Sequence, residues 1–336
     1  MSPFINKIRN SKITTLSTLT AGCIALSATA SAQLTFNFSY ADVDDGTNFG
    51  FNDMTAFGDG RTLGEVRQDT VEAVGSYIGS VINSNAVVDL RWNTSTNSST
   101  NGNLGSFGQT FSTTFADFSN ALSTGTGLIL DGNVAGAILN DADVSGGADE
   151  GSGQINFGQN WNSDHLAATG PTEFDLFTVV LHEVSHALGF SSGINASGGS
   201  DLVFTDGTGN SVAAFTTYDT FLRAADGDLI VNSDGQFVGE LSDLTSNDLN
   251  FQSADGALLD IFSPSTFDEG SSISHLDFTT DEVLNPSLAP GVEERVYGAG
   301  DLAVLSTLGF DIVPEPSSSL LFAVAATFGF TIRRRK

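Results

Sequence analysis

Residues 171–193 read Pro171-Thr172-Glu173-Phe174-Asp175-Leu176-Phe177-Thr178-Val179-Val180-Leu181-His182-Glu183-Val184-Ser185-His186-Ala187-Leu188-Gly189-Phe190-Ser191-Ser192-Gly193. Phe174, Phe177, Leu181, Val184 and Leu188 recur every three or four positions, the spacing of one buried face of an α-helix. Thr172 is placed to cap the helix, with Asp175 three residues on; acids occupy the first turn and Gly189 is placed to end it. Inside lies His182-Glu183-x-x-His186. Residues four apart share a helical face, so both imidazoles can reach one metal ion. Glu183, one residue along, can approach a water held there and act as general base and then proton shuttle. Two imidazoles and a carboxylate in so apolar a helix need a partner, and a zinc ion supplies it.

Two histidines do not complete a catalytic zinc site, which has three protein ligands and an open position. The compact continuation His-Glu-x-x-His-x-x-Gly-x-x-(His/Asp) puts the third ligand at Ser192, a poor zinc ligand. No helix carrying a ligating glutamate follows in the Gly-rich stretch after Ser191. The chain has four histidines, so His165 and His275 remain. The surroundings favour His275. It stands in Ser274-His275-Leu276-Asp277, followed by Asp281-Glu282-Val283-Leu284-Asn285-Pro286.

Here the chain resembles the leishmanolysin-type metallopeptidases, a branch of the metzincins, over Thr172 to Asp311. The likeness is strongest at His182–Ser191. In that family a large insertion separates the turn glycine from the third histidine, and a Glu-Leu-Met-x-Pro-like turn comes next, beneath the metal. Glu282-Val283-Leu284-Asn285-Pro286 fits that turn, with Leu284 where methionine is expected. The resemblance implies a zinc metalloendopeptidase of α+β zincin (metzincin-like) fold, with His182, His186 and His275 on the metal and Glu183 as catalytic base. It implies a twisted mixed sheet, Arg61–Asn83 as backing helix, an active-site helix through His182–His186 and a loop-rich lower subdomain. Substrate, a protein or peptide, would lie in the cleft between the two parts, with Gly153–Phe157 as a strand near it. An oxyanion-stabilising residue is not assigned; Tyr218 and Tyr297 both remain.

Of 336 residues, 12 are Lys or Arg and 40 are Asp or Glu. The ends hold most of the bases. Residues 33–313 contain five arginines and no lysine against 39 acids, a net charge of −34. Such a body cannot neutralise a track of phosphates, which excludes nucleic acid as a partner. It would also be repelled by an anionic membrane. With 40% hydrophobic residues and 26 Phe, the chain can still bury a sizeable core.

The first 32 residues read as a secretory signal, with Lys7, Arg9 and Lys12, an apolar stretch Ile13–Ala28, and Ala30-Ser31-Ala32 before cleavage. Cys23, the sole cysteine, lies inside it, so the mature chain would have no disulfide. Residues 33–312 form the expected catalytic domain. Residues 313–336 run Val313-Pro314-Glu315-Pro316, a short apolar helix Leu320–Ile332, then Arg333-Arg334-Arg335-Lys336. This tail resembles the PEP-CTERM sorting signals of Gram-negative bacteria. The resemblance implies export to the cell surface or extracellular matrix, transient membrane association, and an exosortase-type sorting enzyme as partner.

Elsewhere Ala86–Trp92, Gly127–Leu130 and Gly153–Phe157 read as strands and Thr94–Gly105 as a loop. Gly198–Asn210 and Ala224–Gly239 read as turn-rich segments flanking a short ordered element, Phe215–Leu222. Asp301–Leu308 reads as a last helix. Asp141-x-Asp143-x-Ser145-Gly146-x-x-Asp149 matches part of a calcium loop, although Ser152 stands where an EF-hand needs its bidentate acid. A competing reading is a catalytically inactive surface or matrix protein that keeps a zincin fold and binds calcium through such acidic loops.

Overall fold

The computed structural model describes residues 33–43, 46–96, 103–278 and 282–313. The expected signal peptide, the tail beyond Val313, and Asp44, Asp45 and Asp281 lie outside the described residues. The chain enters on β1 (Thr35–Tyr40). Helix α1 (Leu63–Val81) lies within the stretch Arg61–Asn83 expected to be helical. Its start is a capping box. Thr62 Oγ1 accepts the Glu65 N–H at 3.2 Å, and Glu65 Oε2 accepts the Thr62 N–H at 2.6 Å. Val71, Val74 and Ile78 on its inner face are fully buried.

Next come β2 (Val87–Ser95), β3 (Gly105–Gln109), α2 (Phe115–Thr124), β4 (Leu128–Leu130), α3 (Asn133–Leu139) and β5 (Gly151–Asn156). In β2 the alternation is clean: Val88, Leu90 and Trp92 are fully buried while Val87 and Arg91 face solvent. The sheet order is β1-β2-β5-β3. The first three strands are parallel, with Thr35 opposite Val87 and Leu90 opposite Gly151; β3 runs antiparallel to β5. The sheet is therefore mixed, with β3 on its edge. Thr94–Gly105, read as a loop, gives its first two residues to β2 and its last to β3.

A short parallel pair, β6 (Trp161–Asn162) and β7 (Phe174–Asp175), leads into α4 (Leu176–Ala187). This corrects the Thr172 cap. Phe174 and Asp175 are extended and paired to β6, and Asp175 is the cap, accepting the Thr178 N–H at 3.0 Å. Tertiary partners decide the position. Phe174 packs on Trp161, and Arg295 holds the Asp175 carboxylate from both oxygens. Helix α4 ends as expected at Gly189, whose φ of +99° suits a residue without Cβ.

The segment after α4 is more regular than its turn-rich sequence suggests. It carries β8 (Leu202–Thr205), β9 (Ser211–Thr216), a 3-10 turn over Tyr218–Phe221, β10 (Leu222–Arg223), β11 (Asn250–Gln252) and β12 (Leu258–Asp260). These form two small sheets, β4-β9-β8 and β10-β11-β12. Helix α5 (Ala299–Thr307) closes the described chain, with Gly309 just beyond its end. One continuous core runs from α1 and the parallel strands through α4 to Ile273, Leu284 and α5. No helix among the described residues is long and apolar enough to cross a membrane.

Candidate metal centre

Helix α4 is buried nearly all round, and its polar groups emerge only where it floors a cleft of about 790 Å³. His182 and His186, one turn apart, project there. His275 arrives from the loop after β12 and is buried. The His182 Nε2 lies 3.1 Å from both His186 Nε2 and His275 Nε2. Two nitrogens on one tetrahedral zinc at about 2.0–2.1 Å would stand roughly 3.3 Å apart. Among the described residues this trio is the one group of three with ligand atoms at metal-sharing distance.

The other ring nitrogens settle the tautomers. His182 Nδ1 donates to Val283 O at 2.8 Å, His186 Nδ1 to Phe190 O at 2.7 Å and His275 Nδ1 to Ser271 O at 2.7 Å. A carbonyl only accepts, so each Nδ1 carries the proton and each Nε2 presents a bare lone pair. Burial, then the neighbouring His186, pushes His182 down to about 3; burial also lowers His186 and His275. Three neutral imidazoles with lone pairs facing at such distances repel one another unless a cation lies between them. The donor set therefore fits a zinc ion held by three nitrogens.

Glu183 is 7% exposed, lines the same cleft and accepts no hydrogen bond from the described residues. Burial pushes its carboxyl up to about 8. It is packed against Gly105 at the start of β3. Leu104–Phe107 line the same cleft as the His275 loop. The strand flanking the cleft is therefore β3, not the predicted Gly153–Phe157. That stretch belongs mostly to β5, which is paired on both sides inside the sheet. Sequence reasoning missed β3 because Gly105-Ser-Phe-Gly-Gln has two glycines and little apolar alternation.

Ser192, where the compact motif would place its third ligand, is hydrogen-bonded instead. Its hydroxyl donates to Asp219 at 2.6 Å, and its N–H donates to Ser274 Oγ at 3.0 Å. The chain between Ser192 and Ser274 thus returns beside the turn after α4, next to His275. His165 stays away from the trio, packed on Phe177 with its Nδ1 3.2 Å from Thr70 Oγ1.

Beside His182, Val283 and Leu284 form a turn. Val283 N–H and Leu284 N–H donate to Asp301, and Leu284 is buried in the core. Glu282 accepts the N–H groups of Gly300 and Asp301 at the start of α5. Neither tyrosine left open for the oxyanion is available for it. Tyr218 donates to Ile273 O at 2.8 Å, and Tyr297 OH lies 2.8 Å from Ser185 Oγ on the buried side of α4.

The acids of the calcium-like stretch have partners of their own. Asp141 accepts Ser84 Oγ and Asn85 N–H, whereas Asp143 caps Ser145 and Gly146 in its own turn. Comparison with family models, with curated proteins and with solved structures finds no match to this chain.

Proposed function

We propose that the chain is a zinc-dependent endopeptidase, exported by a Gram-negative-type bacterium and sorted to the surface or extracellular matrix through its tail. One observation carries the catalytic reading: three bare Nε2 atoms converge beside a buried carboxylate at the floor of a cleft. A bound zinc would supply a Lewis acid that acidifies water and polarises a peptide carbonyl.

The rest belongs to this chain. His182, His186 and His275 would hold the ion through Nε2. The carbonyls of Val283, Phe190 and Ser271 keep each ring in the ligating tautomer. Glu183 takes a proton from the attacking water at its carboxylate and returns it to the departing amine nitrogen. An extended peptide can lie along β3, whose outer edge has no strand partner among the described residues. Export and sorting rest on the terminal sequence signals alone.

Hydrolysis of casein by the zinc-loaded full chain tests this reading. Glu183→Ala should keep one zinc per chain and lose cleavage. A variant that cleaves as fast as wild type removes Glu183 from the chemistry. Stoichiometric zinc without cleavage of a broad peptide library would instead mark a non-catalytic matrix protein.

A further inference from the structure

Tyr218 and Asp219 touch none of the three histidines, yet together they hold the two segments on which His186 and His275 depend. Asp219 is fully buried. It accepts Ser192 Oγ at 2.6 Å, Gly193 N–H at 3.0 Å and Thr216 N–H at 2.8 Å. That fixes the turn after α4, whose Phe190 carbonyl orients His186.

Tyr218, also fully buried, has its ring between Phe190 and Phe251, at centroid distances of 5.2 and 5.1 Å. Its hydroxyl donates to Ile273 O at 2.8 Å. Ile273 has φ +72°, a left-handed conformation that a β-branched residue adopts only under restraint. Its N–H donates to Phe262 O, and Phe262 N–H donates to His275 O. The turn doubles the chain back so that Ser271 O meets His275 Nδ1. Such strain persists where the surroundings over-determine it, and the Tyr218 hydroxyl is one of the restraints.

We propose that Tyr218 is a positioning residue for the metal centre: its hydroxyl holds Ile273 in the left-handed turn that presents His275 to the two helix-borne histidines. This rests on the metal-binding reading above but not on catalysis. Tyr218→Phe keeps the ring stack and removes the hydroxyl's hydrogen bond to Ile273 O. Loss of support behind a ligand lowers metal affinity by about 10–100-fold.

The test is zinc affinity of the full chain, read by competition with a chromophoric chelator, together with the visible spectrum of the cobalt-loaded protein. Wild type should bind one ion per chain. Tyr218→Phe should bind zinc about 10–100-fold more weakly and give an altered cobalt spectrum. Phe251→Leu loosens the same stack but leaves the hydroxyl in place. It should lower stability while keeping the wild-type cobalt spectrum and zinc affinity within about threefold. Adding Ile273→Gly to Tyr218→Phe should recover most of the affinity, because glycine adopts φ +72° without strain. If Tyr218→Phe folds only with metal present, the cobalt spectrum supplies the same comparison.

Unchanged zinc affinity and spectrum in Tyr218→Phe would overturn the assignment. So would an equal affinity loss in Phe251→Leu, which would reduce Tyr218 to packing. A wild-type chain that binds no zinc would remove the metal centre itself, and this assignment with it.

Discussion

Gly105 opens β3 directly against the proposed base, and the space it leaves can be measured. A Cβ built on it falls 2.7 Å from Glu183 Oε1, 2.9 Å from Cγ and 3.1 Å from Cδ. Ordinary contacts lie near 3.5 Å, so Gly105→Ala requires a retreat of about 0.8 Å. The strand is paired to β5 from Gly105 to Gln109, and the Glu183 backbone is locked in α4. The carboxylate is therefore the part that yields. A displacement near 1 Å at a reacting group costs about 100-fold in rate, and overpacking costs about 1–3 kcal/mol of stability. The three atoms nearest the added carbon all belong to Glu183, so the ligands should keep their metal. The assay is kcat on a fluorogenic peptide alongside zinc content. The expected result is one zinc per chain with kcat reduced by about 10–100-fold. Wild-type kcat in Gly105→Ala would refute the reasoning, because the carboxylate could not then be the base at that place. Joint loss of rate and zinc would show instead that β3 supports the ligands.

Arg295→Ala should destabilise the chain by about 3–5 kcal/mol in urea unfolding, because it leaves the fully buried Asp175 carboxylate without its bidentate partner at the start of α4. A loss under about 1 kcal/mol would show that pair to be incidental. Burial raises Asp219 to about 6, against the lowering effect of Ser192 and the N–H groups of Gly193 and Thr216. The unfolded chain releases this proton near 3.8, so rising pH favours the unfolded state between about 4 and 6. Relative to Asp219→Asn, wild type should lose stability of the order of 3 kcal/mol over that window; a gap independent of pH would contradict it.

The His182–His186 helix was legible because it combines a 3.6-residue apolar period with a terminal glycine; α1 was legible from the apolar residues of Arg61–Asn83, and the final helix from the glycine that follows it. The start of α4 was misplaced because Asp175 is chosen as cap by Arg295, a partner 120 residues away. β3 was illegible for a related reason: its residues are weak strand formers, kept extended by pairing to β5 and fitted around Glu183. His275 was legible as the third member of the histidine trio from the Glu282–Pro286 stretch downstream of it, but its support was not. Nothing in Tyr218-Asp219 announces that one side chain binds the turn after α4 and the other the turn before His275. The acids of Asp141–Asp149 are spaced like ligands, while the backbone turns Asp141 and Asp143 toward different partners, which the spacing alone does not show.

X-ray absorption at the zinc edge of the zinc-loaded full chain tests the central claim most directly. Three imidazole nitrogens and one oxygen at about 2.0–2.1 Å are predicted, falling to two imidazoles in His275→Ala with weakened binding. A wild-type site with two or fewer imidazoles, or a spectrum unchanged by His275→Ala, would contradict it.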